Sequence, residues 1–261
     1  MYYCCGITET GAPDHNEDAM LLNRTVRTDG ALQIAVESPF LIAVSDGVSG
    51  ASAGEVASST CMKLLAATKI TKKLNLKRRI LDIHEEITAM SRKQEELTAM
   101  QATLCGFLID ERNALHIFNV GDSRIYRLRG GMLEQLTRDQ TLVQMLYDEG
   151  SLTEDEKKTH SHRHIVLSVM GNPDSAPKPD VITISEGLQT GDLLLACTDG
   201  LTEYVPDSEI ASVLSEAMPL PERLDALVQL ALRKGAKDNI TVTGTVRYPE
   251  GIPLPPCEKN A

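Results

Sequence analysis

The chain has 261 residues and a formal net charge of −11, with 42% hydrophobic and 24% charged residues. That length suits one large core, and the composition is that of an ordinary globular chain. The acidic balance argues against non-specific nucleic-acid binding and against an anionic membrane surface, and no apolar run is long enough to span a bilayer.

Residues 2–8 read as a first strand, and 10–15 as a loop with Gly11, Pro13 and Asp14. Asn16-Glu17-Asp18 leads into a second strand at 19–22. Residues 31–36 and 40–44 then pair across a short loop, which is an antiparallel start rather than a βαβ start. After Gly50 the period changes. Ala53, Val56, Ala57, Cys61, Leu64 and Leu65 repeat at helical spacing, and so do Leu76, Ile80, Ile83, Ile87, Met90 and Leu97. The stripe is too short for a coiled coil, so two antiparallel helices covering a sheet are expected.

Four strands are expected at 103–109, 115–120, 123–128 and 132–136, with turns at 111–113 and 129–131. Residues 137–150 read as a helix capped by Thr137 or Asp139 and stopped by Gly150. Residues 151–179 are polar and carry three prolines, a surface flap. Strands follow at 181–184 and 192–197, helices at 208–217 and 221–234, and a last strand at 240–246. A single domain over 1–248 and a flexible proline-bearing tail over 249–261 are the expected organisation. Of the six cysteines, Cys61, Cys105 and Cys197 fall inside apolar patterns, and no two have metal or redox spacing. No signal peptide precedes the first strand, and a reducing cytoplasm is the expected compartment.

The chain is organised around Leu41-Ile-Ala-Val-Ser-Asp46-Gly47, a buried strand that stops at a carboxylate and a tight turn. The pattern returns at Leu193-Leu-Leu-Ala-Cys-Thr-Asp199-Gly200, and Lys237-Asp238-Asn239 opens the last strand. Aspartates at strand ends, far apart in sequence, are expected to converge on a divalent-metal site centred on Asp46.

Six landmarks carry a family resemblance: Asn16-Glu-Asp-Ala19, Val44-Ser-Asp-Gly47, Gly121-Asp-Ser-Arg124, Leu136-Thr-Arg-Asp139, Cys197-Thr-Asp-Gly-Leu201 and Lys237-Asp-Asn-Ile-Thr-Val242. Singly each is weak, because Asp-Gly pairs occur in ordinary turns. In this order the chain resembles the metal-dependent type 2C serine/threonine protein phosphatases, the PPM class, in their bacterial single-domain form. The resemblance implies an α+β fold of four layers, α-β-β-α, with two central antiparallel sheets flanked by helix pairs. It implies hydrolysis of phosphoserine and phosphothreonine by a metal-activated water at a binuclear Mn2+ or Mg2+ centre. Oxygen donors suit those cations.

Asp46 would bridge both metals, Gly47 would lend its carbonyl, and Asp199 and Asp238 would complete the set. Glu17 and Asp18 would orient metal-bound waters. Asp122 matches a third, weaker metal position, or is a turn residue held by Arg124. Arg124 itself reads as a structural arginine. His160, His162 and His164 could suggest zinc, but a solvated flap is the expected reading. Phosphoprotein substrates, an opposing Ser/Thr kinase and a monomeric state are the expected partners and assembly.

Two departures from the family pattern matter. The family's phosphate-gripping arginine, three residues after a glycine and ahead of Asn-Glu-Asp, has Asp14 at its spacing in a segment one residue short. His15 and Arg163 are the candidate replacements. Val48 stands where animal-type members carry a histidine proposed as general acid. The first departure motivates another reading, a weakly active regulatory relative. A phosphoesterase acting on a small molecule is a further alternative, because a metal-bound hydroxide is indifferent to what leaves.

Overall fold

The computed structural model describes residues 1–48, 53–97, 100–249 and 258–259. The chain runs through β1 (Tyr2–Glu9), β2 (Ala19–Leu22), β3 (Thr25–Arg27), β4 (Gly30–Val36) and β5 (Phe40–Ser45) to helices α1 (Gly54–Ala66) and α2 (Leu76–Ser91). Next come β6 (Leu104–Ile109), β7 (Leu115–Val120), β8 (Arg124–Arg129), β9 (Met132–Gln135), α3 (Leu142–Asp148) and α4 (Glu154–Thr159). The chain continues through β10 (Asp180–Ile184), β11 (Leu193–Cys197), α5 (Asp199–Thr202), α6 (Asp207–Leu214), α7 (Leu220–Arg233), β12 (Ile240–Arg247) and β13 (Glu258–Lys259).

Two sheets form the centre. One has the order β13-β4-β1-β12-β11-β8-β9, the other β10-β7-β6-β5-β2-β3. All pairings are antiparallel except that of β13 with β4. Both faces of each sheet are covered, so the middle strands are apolar throughout rather than alternating. Along β5, Phe40, Ile42 and Val44 enter the core between the sheets, while Leu41 and Ala43 meet the α1–α2 layer. The other helix layer, α6 and α7, packs Ile210, Leu214, Leu224, Leu227 and Val228 against Tyr3, Cys5 and Leu195. The expected four-layer sandwich is the one observed.

Several elements differ from the sequence reading. Strands β4 and β5 do not pair with each other: β4 lies beside β1 in one sheet, and β5 lies between β6 and β2 in the other, so the short loop between them crosses from sheet to sheet. The helix expected from 137 begins only at Leu142, with Thr141 as its cap. The preceding residues are held elsewhere: Thr137 Oγ1 accepts from Ile125 N, Asp139 takes both ends of the Arg124 guanidinium, and Gln140 N donates to Gly121 O. The flap contains a short helix, α4, opened by a capping box between Thr153 and Glu156. It is also tied down, through bridges Thr141–Val166 and Ala102–Met170. The α2 helix stops at Ser91, and Leu97 lies in a separate 3-10 turn. Residues 49 and 50 of the turn after Asp46, and the tail except 258–259, lie outside the described residues.

Sheet register places the functional loops. Ala19 pairs with Ser45, Leu104 with Val120, Cys197 with Val242, and Glu9 with Ile240. The start of β2, the end of β5, the β7–β8 turn, the end of β11 and the start of β12 therefore share one rim. Close packing of β5, β6 and β7 depends on Gly106. A Cβ there would lie 2.5 Å from Ile42 O and 2.6 Å from the Phe118 ring. Gly106→Ala should cost about 1–3 kcal/mol of overpacking strain. A urea-unfolding midpoint equal to wild type would contradict this.

Candidate active site

Five aspartates meet at the shared rim. Asp18 precedes β2, Asp46 follows β5, Asp122 sits in the β7–β8 turn, Asp199 opens α5 and Asp238 precedes β12. Burial pushes the Asp18 carboxyl up to about 7, with Asp199 and Asp238 adding to the rise. Burial also raises Asp46 well above the usual carboxylate range, helped by the charges of Asp18, Asp199 and Asp122. Asp122 and Asp199 are raised for the same first reason, burial, and each feels another member of the cluster. Desolvation and like charge act in the same direction here. Asp18 Oδ1 and Asp199 Oδ1 are buried without a hydrogen-bond partner.

Neutral groups hold this crowd in place. Thr103 Oγ1 accepts from Asp46 N at 3.0 Å and shares a 2.9 Å hydrogen bond with the Ser123 hydroxyl. Thr103 N donates to Asp46 O, so the carboxylate's backbone is fixed from both sides. The Thr198 hydroxyl donates to Asp18 Oδ2 at 2.9 Å. Asn239 clamps the loop ahead of β2: its Oδ1 accepts from Glu17 N, and its Nδ2 donates to Thr10 O and His15 O. Gly47 N donates to Glu17 O, and a Cβ on Gly47 would lie 2.5 Å from the Gly54 backbone. Only glycine lets the Asp46 turn approach the start of α1 so closely.

The flap reaches the same rim. His164 Nδ1 pairs with Glu203 Oε1, and His164, Asp199 and Glu203 bring potential ligand atoms within 4.8 Å of one another. Burial raises the Glu203 carboxyl; Asp199 adds to that, and His164 and Arg163 oppose it. Glu203 is not among the residues expected at the site, and the sequence reading places His164 only in a solvated flap. Glu203 lies one helical turn after Asp199, and that spacing is the sign that could have found it. His160 and His162 stack edge to face at 5.5 Å while His164 turns away to Glu203, so the flap histidines do not converge.

His15 Nε2 lies 3.1 Å from Glu17 Oε1, and the His15 side chain is largely exposed. His15, Glu17 and Glu55 form a second group with potential ligand atoms within 4.8 Å. Arg124 is the structural arginine expected: it grips Asp139 at 2.9 and 2.6 Å and donates to Tyr126 Oη. Asp122 is therefore not held by Arg124 through a bidentate pair.

A family model described as "Protein phosphatase 2C" matches residues 16–239. The chain belongs to the protein phosphatase 2C family. A serine/threonine phosphatase stp of Listeria monocytogenes (serotype 4b, strain F2365) is 34% identical over 237 residues, 87% of this chain and 88% of that protein. Stp1 of Staphylococcus aureus, a serine/threonine phosphatase, has a crystal structure that superposes with a TM-score of 0.82 at 31% identity, covering 95% of this chain and 96% of that one. The catalytic domain of the serine/threonine phosphatase PstP, solved in complex with 2 manganese ions, aligns with a TM-score of 0.74 at 29% identity, covering 94% of this chain and 99% of that one.

This member of the protein phosphatase 2C family has a rim suited to hard divalent cations. The five converging carboxylates offer only oxygen, two of their atoms are buried and unpartnered, and their mutual repulsion calls for positive charge. The sign of the pH effect follows from linkage. A carboxyl whose folded pKa exceeds its unfolded pKa gives stability present at low pH and lost as pH rises through the folded value. For Asp18 that window runs from the ordinary carboxylate range to about 7. Cation-free protein should therefore lose stability through Asp18 between about pH 4 and 7, and the other raised aspartates act in the same direction. Added Mn2+ should raise Tm more at pH 8 than at pH 5.5. A Tm gain independent of pH, measured by differential scanning fluorimetry after chelation, would contradict the assignment.

Proposed function

We propose that residues 1–248 form a protein-serine/threonine phosphatase that hydrolyses phosphoserine and phosphothreonine with two Mn2+ or Mg2+ ions held at the aspartate rim. The convergence of Asp18, Asp46, Asp122, Asp199 and Asp238 at the end of the sandwich carries this reading. Asp46 would bridge the ions from a rigid strand end, with the Gly47 carbonyl, Asp199 and Asp238 as further ligands. Asp122 would hold a third, weaker ion, and Glu17 and Asp18 would orient water. Bound cations supply a nucleophilic water near neutral pH and neutralise phosphate charge.

The protein's own contribution is placement. Thr103 and Ser123 fix the Asp46 backbone, and Thr198 locks one Asp18 oxygen so that the other faces inward unpaired. Asn239 binds the loops before β2 and β12 to one another, so Glu17 and Asp238 move as one unit. Arg163 is exposed on the flap and near enough to Glu203 that its charge opposes the rise that burial gives the Glu203 carboxyl. It is the better candidate for gripping the substrate phosphate, because His15 is engaged with Glu17. A phosphate grip on a surface flap suits a phosphoprotein better than a small ester. The same reading makes the enzyme a monomer of the cytoplasm, opposed by a Ser/Thr kinase.

Hydrolysis of p-nitrophenyl phosphate and of phosphoserine and phosphothreonine peptides, with and without Mn2+, tests this. Activity should vanish with EDTA and return with Mn2+ or Mg2+. Full turnover by the chelated protein would refute it, and preference for small esters over every phosphopeptide would favour the small-molecule reading.

Asp46→Asn should cut kcat by about a hundred-fold or more, roughly 3 kcal/mol of transition-state stabilisation. The same substitution removes one of the repelling charges, so the cation-free variant should melt no lower than cation-free wild type. Asp199→Asn and Asp238→Asn should behave alike, and Asp122→Asn should show its loss chiefly at low metal concentration. An Asp46→Asn variant with near wild-type turnover would reduce Asp46 to a turn residue.

A guanidinium grip acts on bound substrate before reaction as well as during it. Arg163→Met should therefore raise KM about ten-fold while kcat stays within about three-fold. An unchanged KM would remove Arg163 from substrate binding.

A further inference from the structure

The flap returns to the body of the protein against an imidazole. His84 lies on the buried face of α2 with Ile80, Ile83 and Ile87, and is 7% exposed. Its Nδ1 accepts a hydrogen bond from Gly171 N at 3.1 Å. A ring nitrogen that accepts carries no proton, so His84 is neutral, with its one proton on Nε2. Burial pushes the pKa of the ring below the ordinary histidine range, and Glu85, its neighbour on α2, opposes that shift. Among the described residues the elements packed against α2, namely α1, β10, the 3-10 turn and the flap end, bring no further charge to bear on the ring.

Gly171 is pressed against α2 by its backbone. Its φ is +82°, and a Cβ there would collide with Met100 O and lie 2.9 Å from Ile87 Cγ2. One residue earlier, Met170 exchanges two hydrogen bonds with Ala102, at 2.8 and 3.2 Å. Ala102 in turn bridges to Gly47, and Val48 N donates to Gln101 O at 2.9 Å. A narrow ladder thus runs from His84 through the end of the flap and residues 101–102 to the turn after Asp46. Arg163 stands eight residues before Gly171 on the same segment.

We propose that neutral His84 is a positioning residue for the flap. Its hydrogen bond to the Gly171 amide holds the flap's return against α2, and a proton on Nδ1 releases it. That proton must bind where the Gly171 N–H now points, so protonation and release are one event. An imidazolium has two donors and no acceptor. Facing the Gly171 amide, it would oppose donor to donor in a buried place, and both would be left unmatched.

The sign follows from linkage. A base whose folded pKa is depressed gives stability present above its ordinary pKa and lost as pH falls towards the folded value. The flap end is therefore firm at neutral pH and above, and loosens in mildly acid solution. Thr103 still holds Asp46 from both sides when the flap end opens, so the consequence falls on substrate grip more than on the aspartates. That consequence rests on the phosphatase reading with Arg163 as the grip; the release itself does not.

Amide hydrogen exchange followed by NMR, with diamagnetic Mg2+ present, tests the release without an activity assay. The quantity read is the protection factor of the Gly171 amide, which removes the intrinsic pH dependence of exchange. In the wild type it should fall about ten-fold between about pH 7.5 and 5, in step with titration of the His84 ring protons, while Val242 in β12 does not follow. His84→Asn puts an amide oxygen where Nδ1 stands and does not titrate, so it should keep Gly171 protected at both ends of that range. His84→Leu removes the acceptor and should leave Gly171 about ten-fold less protected at neutral pH. With phosphopeptide, His84→Leu should raise KM about five-fold while kcat stays within about two-fold, and His84→Asn should restore the wild-type KM.

Gly171 protection indifferent to His84 protonation would overturn the proposal. So would a pH step that persists in His84→Asn, because another group would then be titrating. An active His84→Leu enzyme with a lower Tm and an unchanged KM would make His84 a packing residue and overturn the positioning role. Should His84→Leu fail to fold, the comparison of wild type with His84→Asn decides. Should no form hydrolyse phosphopeptides, the phosphatase reading fails, and the exchange result alone decides on the release.

Discussion

Everything at the functional end of this molecule depends on holding like charges closer than they would choose to be. Asp46 feels Asp18, Asp199 and Asp122, all in a desolvated setting that disfavours ionisation. Carboxylates on mobile loops would relax apart. Here each is attached at or next to the end of a strand whose neighbours fix it by backbone hydrogen bonds, and the strands are locked by apolar packing on both faces. The free energy of the core is thus partly opposed by repulsion at the rim. A cation that binds the folded rim and not the unfolded chain adds stability by mass action.

The residues around the aspartates serve this constraint without carrying charge. Thr103, Ser123, Thr198 and Asn239 are almost fully buried hydrogen-bonding side chains placed between backbone segments far apart in sequence. A cation at any of these positions would relieve the repulsion permanently and compete with an exchangeable metal. The nearest firmly placed guanidinium, Arg124, is instead committed to Asp139 and Tyr126. Its charge stabilises the β8–β9 region and leaves the rim negative.

Much of this arrangement is legible in the sequence because the chemistry is written at strand ends. An apolar run that stops at Asp-Gly marks both a buried strand and its exit, so Asp46 and Asp199 could be placed before any coordinates. The four layers are what the family resemblance implies; the helical stripes by themselves say only that two helices cover a sheet. What could not be read depends on contacts across the fold. Glu203 meets His164 only because the flap folds back over α5, and no local pattern connects residues on two separate segments. Residues 137–140 have helical character, but their side chains and amides are drawn to Ile125, Arg124 and Gly121, and tertiary bonding outweighs local propensity. The α4 helix was readable from Thr153 and Glu156 at capping-box spacing.

The missing arginine becomes intelligible in the same physical terms. Asp14 and His15 lie on the exposed loop ahead of β2, with His15 turned to Glu17. A fixed cation in that loop would face the acidic rim at all times. With Arg163 as the proposed phosphate grip, carrying the cation on the flap instead would separate the two tasks. The rim stays negative enough to recruit divalent ions, and Arg163 sits near Glu203, where its charge already acts on the acidic cluster. The flap is bridged at Val166 and Met170, and Lys157 on Gln144 and His164 on Glu203 tie the segment before them. On the proposed reading the aspartates that would hold the cations stay fixed by the sheets, while the flap supplies the contacts to substrate.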